Sequence, residues 1–591
     1  MISPRPFAFH SALLFGLSLA FVCGSRSSAQ AQEPTPTPPP YSQILVFGDS
    51  LSDVGNVRHQ MESRGVRYPG GEYNYSDGRF TNSSDTDPGS NRYIGVWHEQ
   101  FSRTFLGRSA ETHSANGGNV FAFGGATTEE GTQDFTIADL FGFNVTVTID
   151  NIGKQVDDYI TRRTMDPNAL FVIWGGGNDL FDNDSASNVT ATSARVAMLV
   201  SRLADAGARH FLVPNVPPLG GVPRYNGNRT AQDAKNQASL EYRVQLDADL
   251  DATESALAAR GVQLQLHRHD IWSGFVRFAA DPAAYDIRFL SNTARGGEGT
   301  PDDYLFWDDI HPTTAGHYQI AKSAYRTITG QETPPARAVN VSTRVTVSGG
   351  DNVAIGGFIV RGTEPKQVIL RGIGPSLAAQ GVPGALPDPQ LQLFDEAGEL
   401  LAANDSWRET QAVEIMATGI APTDDREAAI VQTLPPGSYT VVMSGNGAAT
   451  GVGLVEVYDL NPGGLSTFAN LSTRGYVGVG DAVMIGGVII EAGGDPILVV
   501  RAIGPSLAAA AVADPLLDPT LELYDSNGAQ IGMNDDWQQG QAVATRATML
   551  APADDRESAM TVSATPGHYT AIVRGKGDTT GVALVEVFRI P

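Results

Sequence analysis

The second half of the chain repeats its own sequence at a constant spacing of 130 residues. Arg371-Gly-Ile-Gly-Pro-Ser376 returns as Arg501-Ala-Ile-Gly-Pro-Ser506, and Leu454-Val-Glu-Val457 returns as Leu584-Val-Glu-Val587. An unbroken register over this length indicates a tandem duplication, which we place at residues 340–460 and 470–591. The unit is far longer than a solenoid repeat of about 20–50 residues, so we expect each copy to form a domain.

Both copies have the sequence pattern of antiparallel β structure. Short apolar runs such as LQLFD and SYTVVMSG are separated by turns rich in glycine, proline and aspartate. This spacing is typical of a β-sandwich. The repeats therefore predict two all-β, sandwich-like domains.

The first half of the chain has a different pattern. Residues 169–174 (ALFVIW) and 210–214 (HFLVP) are continuous apolar runs, and residues 230–260 have a helical composition. Alternating strands and helices indicate a parallel sheet covered by helices. Since 591 residues are too many for one core, we assign residues 41–330 to this α/β domain and residues 331–339 to a linker.

The N-terminus has the features of an export signal. Arg5 precedes the apolar stretch 7–22, and Ala29-Gln30-Ala31 offers the small-x-small pattern of a processing site. We predict a signal peptide at residues 1–31 and a proline-rich spacer at 32–40, with an uncleaved membrane anchor as the alternative. Cys23 is the one cysteine, so a processed chain has no disulfide or thiolate site. The expected location is outside the cytoplasm: extracellular, periplasmic or at the cell surface.

Net charge limits the partners that this chain can bind. The formal charge is −25 at pH 7. Such acidity argues against electrostatic binding to nucleic acids or to anionic membranes. After the predicted signal peptide, the sequence has no apolar run long enough for a transmembrane anchor.

A candidate nucleophile follows the first apolar run of the α/β domain. Residues 44–46 (ILV) lead into FGDSLSDVGN, which places Ser50 in a turn at the carboxyl end of a predicted strand. In open α/β sheets, that end of the strands is where ligands bind. Ser50 is therefore the candidate catalytic serine.

A candidate base and its orienting acid lie near the end of the same domain. Asp308 and His311 are three residues apart in FWDDIHP, a spacing that can point both side chains to one side of a turn. Asp308 could then fix the imidazole tautomer and leave the other ring nitrogen for Ser50. Asp309 is the alternative orienting acid. The Gly-x-Ser-x-Gly elbow of α/β-hydrolases is absent around Ser50.

Two glycine-containing segments could supply hydrogen-bond donors to an oxyanion. They are residues 119–127 (NVFAFGGAT) and 175–179 (GGGND). Glycine lets the backbone approach an oxyanion closely. The side-chain amide of Asn178 adds a second kind of donor.

Together these segments resemble the SGNH/GDSL hydrolase family of esterases and lipases, in its secreted lipase-like branch. The resemblance spans most of residues 43–321 and includes SDGRFTN at 76–82. It implies a three-layer α/β/α fold and ester hydrolysis without a cofactor or a metal. It also implies that Ser50 is the nucleophile, His311 the base and Asp308 the orienting acid. The implied oxyanion donors are the Ser50 amide, Asn178 and a glycine amide, which we assign to Gly125 with Gly124 second.

Several alternatives stay open at the level of sequence. The substrate could be a small-molecule ester, a lipid ester or an acylated polysaccharide. In another class of function, the chain would be a surface adhesion or glycan-binding protein with a minor catalytic domain. Asn404-Asp405 and the run 534–536 could bind calcium through oxygen ligands, and Trp407 and Trp537 could stack on carbohydrate.

Overall fold

The computed structural model describes residues 41–82, 93–331, 336–350, 352–491, 493–494 and 496–590. The predicted signal peptide, the proline-rich spacer and the centre of the predicted linker lie outside these ranges. No helix within them is both long and apolar enough to cross a membrane.

The first half consists of eight strands and eight helices in the described ranges. The strands are β1 (Ile44–Gly48), β2 (Thr132–Ala138), β3 (Asn144–Asp150), β4 (Leu170–Trp174), β5 (His210–Pro214), β6 (Gln265–His269), β7 (Phe289–Thr293) and β8 (Tyr304–Phe306). The helices are α1 (Asn56–Glu62), α2 (Trp97–Gln100), α3 (Ile152–Arg162), α4 (Gly177–Asp182), α5 (Ala186–Ala206), α6 (Arg229–Ala259), α7 (Ile271–Ala280) and α8 (Thr314–Thr329).

A parallel four-stranded sheet in the order β1-β4-β5-β6 forms the centre of this half. Both faces of β1 are buried, because successive side chains of a strand point to opposite sides. Leu45 and Phe47 pack in the core that contains α3, α5 and α6. Ile44 and Val46 pack on the other side with α2 and α8. The α/β/α layers and the parallel sheet predicted from the sequence are confirmed.

The second half is antiparallel β structure with eight strands from each repeat. The first repeat has β9 (Ala338–Val347), β10 (Ala354–Arg361), β11 (Lys366–Ile373), β12 (Pro389–Phe394), β13 (Leu400–Asn404), β14 (Ala428–Leu434), β15 (Gly437–Gly445) and β16 (Gly451–Asp459), with helices α9 (Pro375–Ala379) and α10 (Ala412–Ala417). The second has β17 (Thr467–Val477), β18 (Met484–Ile490), β19 (Ile497–Ile503), β20 (Pro519–Tyr524), β21 (Gln530–Asn534), β22 (Ser558–Ser563), β23 (Gly567–Gly575) and β24 (Gly581–Ile590), with helix α11 (Ala542–Ala547). The first strand of each repeat begins slightly ahead of the boundary predicted for it.

The two repeats exchange strand partners. β9 pairs with β16 of its own repeat and with β18 of the second repeat. In the same way, β17 pairs with β24 of its own repeat and with β10 of the first. All 16 strands are linked into one sheet through a single pairing of β9 with β17. On either side of that link, a run of eight strands contains four from each repeat.

Equivalent residues meet where the repeats join. Thr346 pairs with Tyr476, and the hydroxyls of Thr343 and Thr473 form a hydrogen bond of 2.8 Å. The members of each pair are 130 positions apart, so they lie close to an approximate two-fold axis between the repeats. One apolar core runs through both copies, and the repeats therefore form a single packed unit.

The second repeat also packs against the α/β domain. Trp272 and Val276 of α7 share an apolar cluster with Val499 and with Ala544 and Ala547 of α11. Around this cluster, Arg546 contacts Asp233 at 2.5 Å and Arg229 contacts Asp555 at 3.0 Å. The equivalent helix of the first repeat makes no such contact in the described part of the chain, since Val413 on α10 is 73% exposed.

This difference between the repeats yields a matched pair of substitutions. Ala547 is fully buried against the α/β domain, whereas its equivalent Ala417 is exposed. Ala547→Asp places an unpaired charge in an apolar contact, and we expect a loss of about 3 kcal/mol in the free energy of unfolding. Ala417→Asp should stay within about 0.5 kcal/mol of the parent protein. Chemical denaturation monitored by circular dichroism measures both, and equal effects would contradict the docked arrangement.

Candidate active site

Ser50 lies in the turn that follows β1, at the carboxyl edge of the parallel sheet. The Asp49 carbonyl accepts a hydrogen bond from the Asp53 amide at 3.0 Å and closes this turn. Gly48 allows β1 and β4 to approach here, because a Cβ at this position would lie 2.7 Å from the Trp174 carbonyl oxygen. The turn thus presents the serine hydroxyl at the end of a buried strand.

The structure brings Ser50, His311 and Asp308 together in one hydrogen-bonded chain. Ser50 Oγ lies 2.9 Å from His311 Nε2. On the other side of the ring, His311 Nδ1 lies 2.8 Å from Asp308 Oδ2. All three residues are buried. Ser50 comes from the start of the domain sequence, and Asp308 and His311 come from its end.

The segment after β8 holds Asp308 and His311 in this geometry. Asp308 Oδ1 accepts hydrogen bonds from the backbone amides of Ile310 at 2.9 Å and His311 at 2.7 Å. The carboxylate therefore closes its own turn with one oxygen and contacts the imidazole with the other. From outside the turn, the Thr81 hydroxyl donates to the Pro312 carbonyl at 2.9 Å.

Tyr75 is a partner of the site that the sequence analysis missed. Its hydroxyl donates to Asp308 Oδ2 at 2.5 Å, the same oxygen that contacts His311. Burial, followed by the charge of Asp308, raises the pKa of Tyr75 and keeps this hydroxyl a donor. The available signal was its place directly before the SDGRFTN motif.

Asp308 is held as a carboxylate despite its burial. Burial alone would raise its pKa, but the charge of His311 and the hydrogen bonds from His311 and Tyr75 outweigh that effect. The net result holds the pKa of Asp308 well below its usual range. A fixed negative charge behind the imidazole favours the proton on Nδ1 and leaves Nε2 to accept from Ser50.

Asp309, the alternative orienting acid, points elsewhere. Its carboxylate lies 2.8 Å from Arg224 Nε, and its side chain is 53% exposed. This exposed ion pair leaves Asp308 as the carboxylate that contacts His311.

The two candidate glycines differ in what their amides contact. The Gly124 amide donates to Asp53 Oδ2 at 3.0 Å. The amides of Gly125 and Ser50 have no hydrogen-bond acceptor in the described ranges. Gly125 adopts a φ of 84°, a left-handed conformation that favours glycine. Of the two glycines, Gly125 has the amide that remains available to a ligand.

Asn178 connects the glycine segment to the end of β4. It lies in the first turn of α4, and its Nδ2 donates to the Ala126 carbonyl at 2.9 Å. An amide nitrogen carries two hydrogens, so one is left for another acceptor. Because Ala126 follows Gly125, the Asn178 amide lies close to the free backbone amide.

Ser50, Asn178 and His311 open into a cavity of about 190 Å³ that runs between α7 and α8. We call this cavity the groove. Most of its lining is apolar, contributed by Leu51, Trp174, Phe181, Val216, Leu219, Val222, Ile271, Phe275, Phe278, Leu305, Phe306, Ile310 and Ile320. An apolar groove beside a serine hydroxyl suits an ester with a hydrophobic arm.

The other sequence candidates lie outside this site. Trp407 and Trp537 are each 2% exposed, so they are core residues and not stacking platforms. The Asn404 side chain is used within the repeat, because its Oδ1 accepts from the Ala429 amide of β14 at 2.9 Å and its Nδ2 donates to the Ser406 carbonyl at 3.1 Å. In the described ranges, the one acidic group with metal-ligand spacing is Asp518, Asp535 and Asp536. Lys576 contacts Asp535 at 2.7 Å there.

Comparison with known proteins finds a family match for the first half of the chain. The family model of GDSL-like Lipase/Acylhydrolase matches residues 44–324. An uncharacterized Pseudomonas putida protein from the trpE-trpG intergenic region is 27% identical, over 52% of this chain and 50% of its own length. Phosphatidylcholine-sterol acyltransferase of Aeromonas hydrophila is 23% identical over 53% and 97%. Esterase EstA of Pseudomonas aeruginosa is 29% identical over 52% and 49%.

The extent of these matches differs among the relatives. This chain spans about half the length of the two Pseudomonas proteins that it matches, and nearly all of the Aeromonas one. All of the residues in the hydrogen-bonded chain lie within the matched range. Residues 44–324 therefore form a domain of the GDSL-like lipase/acylhydrolase family.

Proposed function

We propose that this protein is a serine hydrolase that cleaves carboxylic esters through an acyl-serine intermediate. One observation carries the proposal: the contact of 2.9 Å between Ser50 Oγ and His311 Nε2, with Asp308 2.8 Å behind the ring. A serine hydroxyl is a weak nucleophile until a neighbouring base takes its proton. His311 is in hydrogen-bonding distance of that proton, and Asp308 orients it.

In the acylation step, Ser50 Oγ attacks the ester carbonyl carbon while its proton moves to His311 Nε2. The carbonyl oxygen becomes an oxyanion, which accepts hydrogen bonds from the amides of Ser50 and Gly125 and from Asn178 Nδ2. These donors are fixed before the substrate arrives, so they stabilise the developing charge without reorganising. When the tetrahedral intermediate collapses, the C–O bond to the alcohol breaks and His311 gives its proton to the departing oxygen.

In the second step, water releases the acyl group. His311 Nε2 takes a proton from the water, whose oxygen attacks the acyl carbon through a second oxyanion. Collapse returns the proton to Ser50 Oγ and frees the carboxylic acid. Tyr75 acts as a positioning residue, because its hydrogen bond to Asp308 keeps that carboxylate charged and aimed at His311 through both steps.

The substrate proposed is an ester with a hydrophobic arm, since the groove next to Ser50 is mostly apolar. Lipid esters fit this chemistry. Two of the relatives are named for reactions of esters, one as a phosphatidylcholine-sterol acyltransferase and the other as an esterase. An acyl group on a polysaccharide would use the same site with the sugar outside the groove. Trp407 and Trp537 are buried and cannot stack on carbohydrate, so the alternative of a glycan-binding adhesion protein has less support.

Kinetics of two variants test the mechanism with p-nitrophenyl acetate. Ser50→Ala should lower kcat by about 10⁴–10⁶ because the nucleophile is gone. Asn178→Ala should lower kcat by roughly 10²–10³ and change KM less, because it removes one oxyanion donor. Ser63→Ala, at an exposed serine after α1, is the control and should keep the parent rate. A folded Ser50→Ala protein with near-parent kcat would overturn the nucleophile, and an Asn178→Ala effect confined to KM would overturn the oxyanion role.

We also propose that the protein is exported, on the basis of Arg5, the apolar stretch 7–22 and the processing pattern ending at Ala31. The chain isolated from its native cells should begin at Gln32 and be found outside the cytoplasm. N-terminal sequencing measures this directly. An intact Met1 on a cytoplasmic protein would contradict the proposal.

A further inference from the structure

Three basic residues line the groove together with Ser50. Arg277 comes from α7, and Lys322 and Arg326 come from α8. Residues four apart on a helix lie on the same face, so Lys322 and Arg326 face the groove side by side. The groove therefore combines an apolar wall with a cluster of positive charge.

These three cations have no carboxylate within 4 Å in the described ranges, where most arginines of the α/β domain have one. Arg195 contacts Asp179 at 2.9 Å, and Arg243 contacts Asp270 at 2.7 Å. In a chain with a net charge of −25, adjacent unpaired cations are unexpected. An anion that comes from outside the protein would supply the missing charge.

The two cations of α8 lie in the half of the helix farther from His311. The wall of the groove runs along α8 from Gly316, where a built Cβ would lie 3.0 Å from Pro312 Cβ, to Arg326. From the helical rise, Lys322 lies about 9 Å and Arg326 about 15 Å from Gly316 along the axis of α8. Ile320 and Ile271 contribute apolar surface between the two ends. A ligand that reaches both ends has an ester, a hydrophobic spacer of that length and a terminal anion.

We propose that the groove binds esters whose hydrophobic arm ends in an anionic group, a carboxylate or a phosphate, and that Arg277, Lys322 and Arg326 bind this group. The inference rests on the proposed function and narrows its substrate class. The apolar wall of the groove contacts the hydrophobic arm of the substrate, and the three basic residues bind the anionic group at the end of that arm. Arginine suits both anions, since its guanidinium can donate two parallel hydrogen bonds to them.

Matched substrates test the terminal anion. Three p-nitrophenyl esters are compared at low ionic strength: the acetate, a long straight-chain acyl ester ending in a carboxylate, and the same chain ending in a neutral amide. We expect kcat/KM for the carboxylate to exceed that for the amide by about tenfold, since a charge-assisted hydrogen bond is worth that much. The advantage should shrink as salt is added.

Variants assign this preference to the groove. Lys322→Gln and Arg326→Gln should each remove most of the difference in kcat/KM between the carboxylate-terminated and the amide-terminated ester. Arg64→Gln, at an exposed residue that does not line the groove, makes the same change in net charge and should have no effect. Gly274 of α7 also lines the groove, and a Cβ built there meets no atom within 4 Å, so a leucine has room to project into the groove. Gly274→Leu should therefore lower kcat/KM for both long esters more than for p-nitrophenyl acetate.

The outcomes separate this inference from the proposed function. Suppose that p-nitrophenyl acetate is hydrolysed in a Ser50-dependent way but the carboxylate-terminated and amide-terminated esters react at equal rates. That result would overturn the inference and leave the proposed hydrolase function standing. Vesicles of an anionic phospholipid could instead stimulate ester hydrolysis in a way that requires Lys322 and Arg326, with no preference among the soluble esters. That result would also overturn the inference, because these side chains would then contact a lipid surface and not the end of a substrate. Absence of hydrolysis of all three esters would overturn both.

Discussion

The hydrogen bond between Ser50 and His311 is the interaction on which the site depends, and it joins residues 261 positions apart. No local preference can bring these two side chains together. Ser50 is placed by the carboxyl end of β1, and His311 by the turn between β8 and α8. The parallel sheet and the two helical layers hold these elements in register, so the proposed nucleophile and its proposed base meet only when the whole domain has folded.

Helix α7 links the site to the rest of the molecule. Ile271 and Phe278 line the groove, while Trp272 and Val276 pack against the second repeat. One short helix therefore has two apolar surfaces, one facing the groove and one facing the second repeat. The repeats support a wall of the groove, although they contribute none of the residues of the hydrogen-bonded chain.

The sequence predicts the parts of the site that are encoded in short segments. Ser50 follows an apolar run, and Asp308 and His311 are three residues apart, so their roles could be proposed from spacing. The role of Tyr75 could not be predicted this way, because no pattern around it points to a contact with a carboxylate 233 positions away. Only the folded chain shows that the tyrosine before the SDGRFTN motif reaches Asp308.

The pairing of strands between the two repeats also could not be predicted from the sequence. β10 and β18 are equivalent strands with similar sequences, so β9 could pair with either one and satisfy the same hydrogen bonds. Sequence periodicity predicts that the strands exist but does not choose between these partners. Similarly, Ala417 and Ala547 occupy equivalent positions, and only the second is covered by the α/β domain. The choice comes from long-range packing.

The site and rate of modification by a fluorophosphonate test the central claim most directly. The reagent forms a bond between phosphorus and an activated serine oxygen and releases fluoride. Peptide mapping should find a single adduct, on Ser50. The rate of modification should fall by about 10³–10⁴ in Asp308→Asn, because the imidazole loses its oriented tautomer, and stay unchanged in Asp309→Asn. An adduct on another residue, or equal rates in the two variants, would contradict the assignment of Ser50, His311 and Asp308 as one catalytic unit.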